Sequence, residues 1–132
     1  MTDRFSHKKF IFNDKIDSEF LFSLYEEDFM YMEEIFKTTL DQLTTVVTEV
    51  PVAFTERNVA ELRRIVHRIK PAFGFTGFLQ TEKACKAFED ACLETINSDE
   101  LSRLYHPFWE LLTDSMNTMK QQYDQLKDFN KQ

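Results

Sequence analysis

Apolar side chains recur along this chain at steps of three and four residues, the spacing that puts them on one face of an α-helix. The clearest stripes run over residues 27–50 and 58–76, and two more cover 78–96 and the segment that follows Pro107. A weaker stripe over 18–25 predicts a short N-terminal helix. The pattern therefore predicts an all-α fold with four principal helices and one short additional helix.

Prolines, a glycine and a capping residue suggest where these helices begin and end. Pro51 is expected to end the first long helix, because proline removes an amide donor and crowds the preceding turn. Asn58, with a glutamate three places later, has the spacing of a capping box. Gly77 marks the next break. Pro107 is expected to open the last long helix, after one or two separate turns over 99–105.

Short connections between four helices predict an antiparallel up-down bundle. We interpret residues 1–17 as an N-terminal arm and 18–130 as the four-helix-bundle domain. The chain of 132 residues is long enough for one hydrophobic core. It holds only two glycines and three prolines but 14 phenylalanines, which disfavours a fold of many short strands.

Charge and hydropathy exclude several classes of protein. The net charge of −7 disfavours nucleic acid and anionic membranes as partners. The N-terminus lacks the apolar segment of a secretory signal, and no apolar run approaches the roughly 18 residues that span a bilayer. We therefore expect a cytoplasmic protein. Cys85 and Cys92 should lie about 10 Å apart on one helix, too far for a disulfide, and are expected to be reduced packing residues.

The helix over 58–76 carries the candidate chemistry. On a helical wheel, five apolar residues fall in one arc centred about 150° from His67, which predicts that this histidine faces outward. Cationic side chains share its face, so an anionic group is expected there. A neutral imidazole is a competent nucleophile near neutral pH, and neighbouring cations can stabilise a phosphoryl group. The inward residues are Leu62, Ile65, Val66, Ile69 and Phe73, and the outward neighbours are Arg63, Arg64, Lys70 and Gly74.

Residues 67–77 read HRIKPAFGFTG. A histidine followed by a lysine three places later, and by small residues one to two turns on, resembles the signature of histidine-containing phosphotransfer (HPt) proteins. The resemblance extends over roughly residues 20–128. It includes the cap and core positions of the histidine helix and matching positions of the following helix, namely Asn58, Leu62, Val66, Cys85, Phe88 and Glu89.

The resemblance implies that His67 carries a phosphoryl group, that Lys70, solvated on the same face, helps to hold it, and that Gly74 leaves room for a partner. It implies a phosphorelay in which one receiver-domain aspartate donates the phosphoryl group and another receiver accepts it, with a hybrid sensor histidine kinase upstream. The protein would be a carrier without kinase activity or cofactor of its own, since Mg²⁺ would belong to the receiver. The expected docking residues are Arg63, Arg64, Gly74 and two exposed aromatic residues, Phe75 and Phe78.

Pro71 departs from the family pattern, in which many members carry glycine at this place. Proline lacks the amide that would donate to the carbonyl of His67 and crowds that carbonyl, so a local kink is expected.

Three other kinds of helical protein compete with a phosphoryl carrier. A di-metal bundle would need Glu-x-x-His pairs, but the residues three places before the histidines are Arg4, Arg64 and Arg103. A sensor kinase would need glycine-rich ATP-binding loops. A helical docking module that binds receivers or other signalling proteins without phosphotransfer stays open, although the pairing of His67 with Lys70 argues against it. No function is expected for His7 or His106.

Overall fold

The computed structural model describes residues 9–94 and 97–132. This part of the chain is helical and holds no strand, so the all-α prediction is confirmed. None of its helices is long and apolar enough to span a bilayer. The helices are α1 (Ser18–Tyr25), α2 (Phe29–Gln42), α3 (Val46–Thr55), α4 (Val59–Phe75), α5 (Leu79–Ala91) and α6 (Ser98–Asn130).

Four helices begin at a side chain that satisfies a free amide of the first turn. In each case the carboxylate or amide oxygen accepts a hydrogen bond from the backbone N–H three residues later. Such a cap stabilises a helix by about 1 kcal/mol relative to alanine. The predicted cap at Asn58 is confirmed, but the reciprocal half of the capping box is not, because the Asn58 amide donates to the Ala53 carbonyl and the Glu61 carboxylate accepts from Arg64. The other three caps are Asp17, Asp28 and Asn97.

The predicted helix over 27–50 is wrong in two ways. It is divided into α2 and α3 by a turn at residues 43–45, and Pro51 lies inside α3 instead of ending the preceding helix. Because Pro51 has no N–H, the carbonyl of Val47 lacks its usual helical donor. Val47 is 55% exposed, so water can donate to this carbonyl instead. Val50 and Ala53 are buried on either side of Pro51, and their packing favours a continuous α3.

The predicted start of the last helix at Pro107 is also wrong. α6 begins after the cap at Asn97, is 33 residues long, and contains Pro107 in its interior. The separate turns expected over 99–105 are therefore part of this helix. Its buried residues Leu101, Tyr105, Phe108 and Leu112 follow at helical spacing on both sides of Pro107. A continuous buried face evidently offsets the roughly 3 kcal/mol that proline costs inside a helix.

The helices pack into a bundle in which α4 contacts α5 and α3, α2 contacts α6, and α5 contacts α6. The antiparallel up-down order of four helices stays a prediction. The helix predicted over 78–96 is too long, because α5 ends at Ala91 and a turn follows at Cys92 and Leu93. Its expected last residue, Ile96, lies outside the described residues. Cys85 and Cys92 are buried and unpaired, as expected.

Aromatic rings join several elements of the core. Phe88 of α5 stacks on Phe108 of α6, with ring centroids 4.4 Å apart. In the described part of the N-terminal arm, Phe10, Phe12 and Ile16 are buried against the bundle. This segment therefore contributes to the same core as the helices.

Candidate functional site

α4 presents the His67 imidazole to solvent. The five residues predicted to face inward are all buried, which confirms the orientation of the helix. The His67 side chain is 69% exposed. A large partner can therefore reach the ring from outside.

A carboxylate on the neighbouring helix contacts both predicted site residues. Glu89 of α5 forms a hydrogen bond through Oε2 with Nδ1 of His67. Its other oxygen, Oε1, accepts a hydrogen bond from Nζ of Lys70 at 2.9 Å. The Glu89 side chain is only 6% exposed. The packing of α4 on α5 thus brings His67, Lys70 and Glu89 together.

Glu89 is held in its charged form. The Lys70 ammonium is the main cause that lowers the pKa of the Glu89 carboxyl, and the His67 hydrogen bond lowers this pKa further, against the opposing effect of burial. A carboxylate can only accept hydrogen bonds, so Nδ1 of His67 must be the donor. In the neutral ring the lone pair then lies on Nε2, the atom suited to nucleophilic attack.

Lys70 differs from the sequence-based expectation. The sequence predicts a solvated Lys70, but its side chain is 22% exposed and forms an ion pair with Glu89. The reason is the close packing of α5 against this side of α4. The Lys70 ammonium has three N–H donors, and Glu89 accepts one of them.

Glu89 was not recognised as a site residue from the sequence. The signal was present, because Glu89 lies about 40° from Cys85 on the helical wheel of α5, within the same inward stripe. A carboxylate in an apolar stripe is rarely buried without a cationic or hydrogen-bonding partner. That rule could have indicated a polar contact with the histidine helix.

The arginines around His67 differ in their contacts. Arg64 donates to Glu61 on its own helix, and Arg68 donates to Glu49 of α3 at 2.7 Å. Nε of Arg63 is buried and has no hydrogen-bond partner among the described residues. Arg63 therefore differs from Arg64 and Arg68, which both donate to a carboxylate of the described chain.

The surface beside Gly74 is not open, contrary to expectation. Gly74 is buried, and a Cβ atom at this position would lie 3.0 Å from Cδ of Glu82 and nearer still to its Oε2. The missing side chain therefore makes room for a carboxylate of α5 in this structure. A role for Gly74 in partner docking stays a prediction.

The two aromatic candidates have different surroundings. Phe75 is 55% exposed, as expected, and borders a depression of about 370 Å³ between α4 and the end of α2. Phe78 is 1% exposed, so the expectation of an exposed ring is wrong. It follows the turn at Gly77 and packs edge-on against Phe73, with ring centroids 6.4 Å apart. The ring of Phe78 is a core group.

The other two histidines do not contribute to the cluster of His67, Lys70 and Glu89 in the described structure. His106 is exposed on α6 and contacts the edge of Phe54, 5.4 Å away between ring centroids. His7 lies outside the described residues. His67 is therefore the histidine that the described structure combines with both a carboxylate and an ammonium group.

The model of the Hpt domain matches residues 31–129, which includes α4, α5 and most of α6. The chain belongs to the Hpt domain family. Domains of this family carry a phosphoryl group on a histidine in two-component phosphorelays, interact with receiver domains, and act as phosphocarriers more than as catalysts. Neither the curated proteins nor the solved structures include a significant match to this chain.

Proposed function

We propose that this Hpt protein accepts a phosphoryl group on Nε2 of His67 from a receiver-domain aspartate and transfers it to the aspartate of a second receiver. The observation that carries the proposal is the exposed imidazole whose Nδ1 contacts the buried Glu89. A hybrid sensor histidine kinase is the expected source of the phosphoryl group. The cytoplasmic location stays a prediction.

The first contribution of this chain is to orient the nucleophile. Glu89 accepts the hydrogen bond of Nδ1–H, which fixes the ring and selects the tautomer with a lone pair on Nε2. In the transfer, the Nε2–P bond forms while the P–O bond to the aspartate breaks, and the proton stays on Nδ1. The negative charge of Glu89 stabilises the positive charge that develops on the ring.

The second contribution is charge neutralisation. We propose that the Lys70 ammonium turns from Glu89 to the phosphoryl oxygens as they arrive. Phosphoryl transfer needs mainly positioning and compensation of charge, so little further chemistry is required of this protein. By family resemblance the receiver supplies Mg²⁺ and its own acidic pocket.

Docking would use the face around His67. Arg63 and Arg64 are suited to carboxylates of the receiver, and Phe75 offers an exposed apolar ring. Gly74 would contribute only if the Glu82 carboxylate moved aside. We expect a small, transient interface with an apolar centre and a charged rim.

The proposal is tested by mixing the protein with a receiver domain that carries labelled phosphate. Label should reach the native protein and the His106→Gln variant, but not His67→Gln. The adduct should be acid-labile and alkali-stable, as a phosphoramidate is. Labelling of His67→Gln at the normal rate would refute the assignment, and stable binding without any labelling would indicate the docking module instead.

A further inference from the structure

The carbonyl group of His67 lacks its partner within α4. Pro71 lies four residues later, inside a helix that continues to Phe75. Proline has no amide hydrogen, so the usual i to i+4 bond cannot form, and its ring crowds the carbonyl oxygen. His67 and Pro71 are both exposed. An acceptor that belongs to the phosphosite residue itself therefore lies at the protein surface.

The cations of α4 that are closest to His67 in sequence donate to other groups. Arg64 donates to Glu61, Arg68 to Glu49 and Lys70 to Glu89. An unsatisfied backbone acceptor is costly once a partner removes it from water. The oxygen therefore needs either a retained water molecule or a donor from whatever protein covers His67.

The position of the His67 carbonyl oxygen on α4 indicates which molecule covers this oxygen. Carbonyl groups of a helix point toward its C-terminal end, so this oxygen lies on the Pro71 side of the imidazole. Pro71 also lines the depression of about 370 Å³ beside Phe75. A receiver that aligns its aspartate with Nε2 of His67 must cover this adjoining backbone as well.

We propose that the His67 carbonyl oxygen accepts a hydrogen bond from an N–H or ammonium donor of the receiver domain, and that Pro71 keeps this acceptor available. The inference rests on the proposed function, because it names a contact of the same phosphotransfer complex. One neutral hydrogen bond of typical net strength corresponds to about a 5-fold change in affinity.

The chain contains its own matched control. Pro51 also lies inside a helix and frees the carbonyl of Val47 in α3. Replacing either proline by alanine restores one helical hydrogen bond and removes the strain of the ring. The two substitutions should both raise thermal stability, whereas only the change at Pro71 removes an acceptor beside His67.

The experiment compares three proteins with the native chain in transfer from a phosphorylated receiver. They are Pro71→Ala, Pro51→Ala, and a chain in which Pro71 is replaced by lactic acid, the hydroxy analogue of alanine that has no N–H. We expect KM to rise about 5-fold for Pro71→Ala and to stay at the native value for the other two. The kcat should change little, since Nε2, Lys70 and Glu89 are intact.

Each other outcome overturns the inference. An unchanged KM for Pro71→Ala would mean that the carbonyl is only hydrated. An equal rise for alanine and lactate would assign the effect to the lost proline ring. If the native protein itself took no label, the proposed function would fail along with this inference, whereas native labelling with unchanged Pro71→Ala kinetics would refute this inference alone.

Discussion

The two sides of His67 differ in what they can contribute to phosphotransfer. On the α5 side, Lys70 and Glu89 form an ion pair whose side chains are 22% and 6% exposed. On the α2–α3 side, defined here by Arg68, Pro71 and Phe75, the ion pair of Arg68 with Glu49 is 44% and 31% exposed. One side holds a shielded charge against the imidazole, and the other offers an accessible apolar ring beside a depression.

Burial explains this division of roles. A shielded carboxylate keeps most of its electrostatic effect on a neighbouring ring, whereas water and salt screen an exposed pair. Exposed apolar surface, in contrast, becomes useful only when a partner covers it. We therefore expect changes on the α5 side to affect the chemical step and changes on the α2–α3 side to affect binding of the receiver.

The largest expected effect separates the two aromatic residues. Phe78→Ala should lower the free energy of unfolding by about 3–5 kcal/mol, because it removes a fully buried ring. Phe75→Ala should change stability by no more than about 0.5 kcal/mol, as surface substitutions usually do, and should instead raise KM for the receiver. Denaturant unfolding and transfer kinetics measure the two effects. A large loss of stability in Phe75→Ala would show that the ring is structural.

The next effect tests the α5 side directly. Lys70→Ala should slow phosphoryl transfer by about 100-fold, the size typical of losing one charge-stabilising donor, while helical content by circular dichroism stays unchanged. Lys86→Ala is the matched control, since it removes an exposed lysine of α5 paired with Asp90. Full-speed transfer by Lys70→Ala would assign the role to Arg63, Arg64 or the receiver. An unfolded variant would show that the ion pair is structural.

The sequence predicted the outward histidine, the capped start of α4 and the helical stripes because these depend on local periodicity. It did not predict which prolines end helices. Pro51 and Pro107 remain inside helices because buried residues on both sides continue the packed face. That outcome depends on contacts with other helices, which a single stripe does not reveal.

Long-range packing also accounts for the errors within the site. Whether Lys70 is solvated and whether Gly74 is open both depend on where α5 places Glu89 and Glu82. The burial of Phe78 depends on the turn at Gly77, which directs its ring inward. These residues lie on different helices or follow a turn, so helical spacing within α4 carries no information about them.

A third prediction compares the carboxylates of the two sides by their pH dependence. Lys70 lowers the pKa of Glu89, and the Arg68 and Thr45 hydrogen bonds lower the pKa of Glu49. A carboxyl whose pKa is lower in the folded state contributes stability above its unfolded pKa of about 4.3 and loses it as pH falls toward the folded value. The free energy of unfolding should therefore decline below about pH 4.3, and both carboxyl groups should contribute to this decline.

Substitution by glutamine separates the contributions of Glu89 and Glu49 to this loss of stability. Glu89→Gln should flatten the decline of the unfolding free energy below about pH 4.3 more than Glu49→Gln does, because the shielded pair is less screened by water. Urea unfolding across the acidic range measures both slopes. Equal flattening in the two variants would show that burial does not distinguish the two sides.

The smallest expected effect concerns Gly74, at the edge of the α5 side. Gly74→Ala gains helix propensity worth up to about 1 kcal/mol, but the new methyl group must displace the Glu82 carboxylate. Because that carboxylate is the end of a flexible side chain, we expect a net stabilisation below about 1 kcal/mol and nearly native transfer.

Two comparisons make the Gly74 prediction decisive. Adding Glu82→Ala removes the displaced group, so Gly74→Ala should stabilise the Glu82→Ala protein more than it stabilises the native chain. Gly74→Arg should keep the helical fold and raise KM, since a long side chain would extend past Glu82 toward the approaching receiver. Transfer rates that fell in step with stability in every Gly74 variant, alanine included, would show that the glycine serves only the packing of α4 on α5. The docking role proposed for Gly74 would then be abandoned.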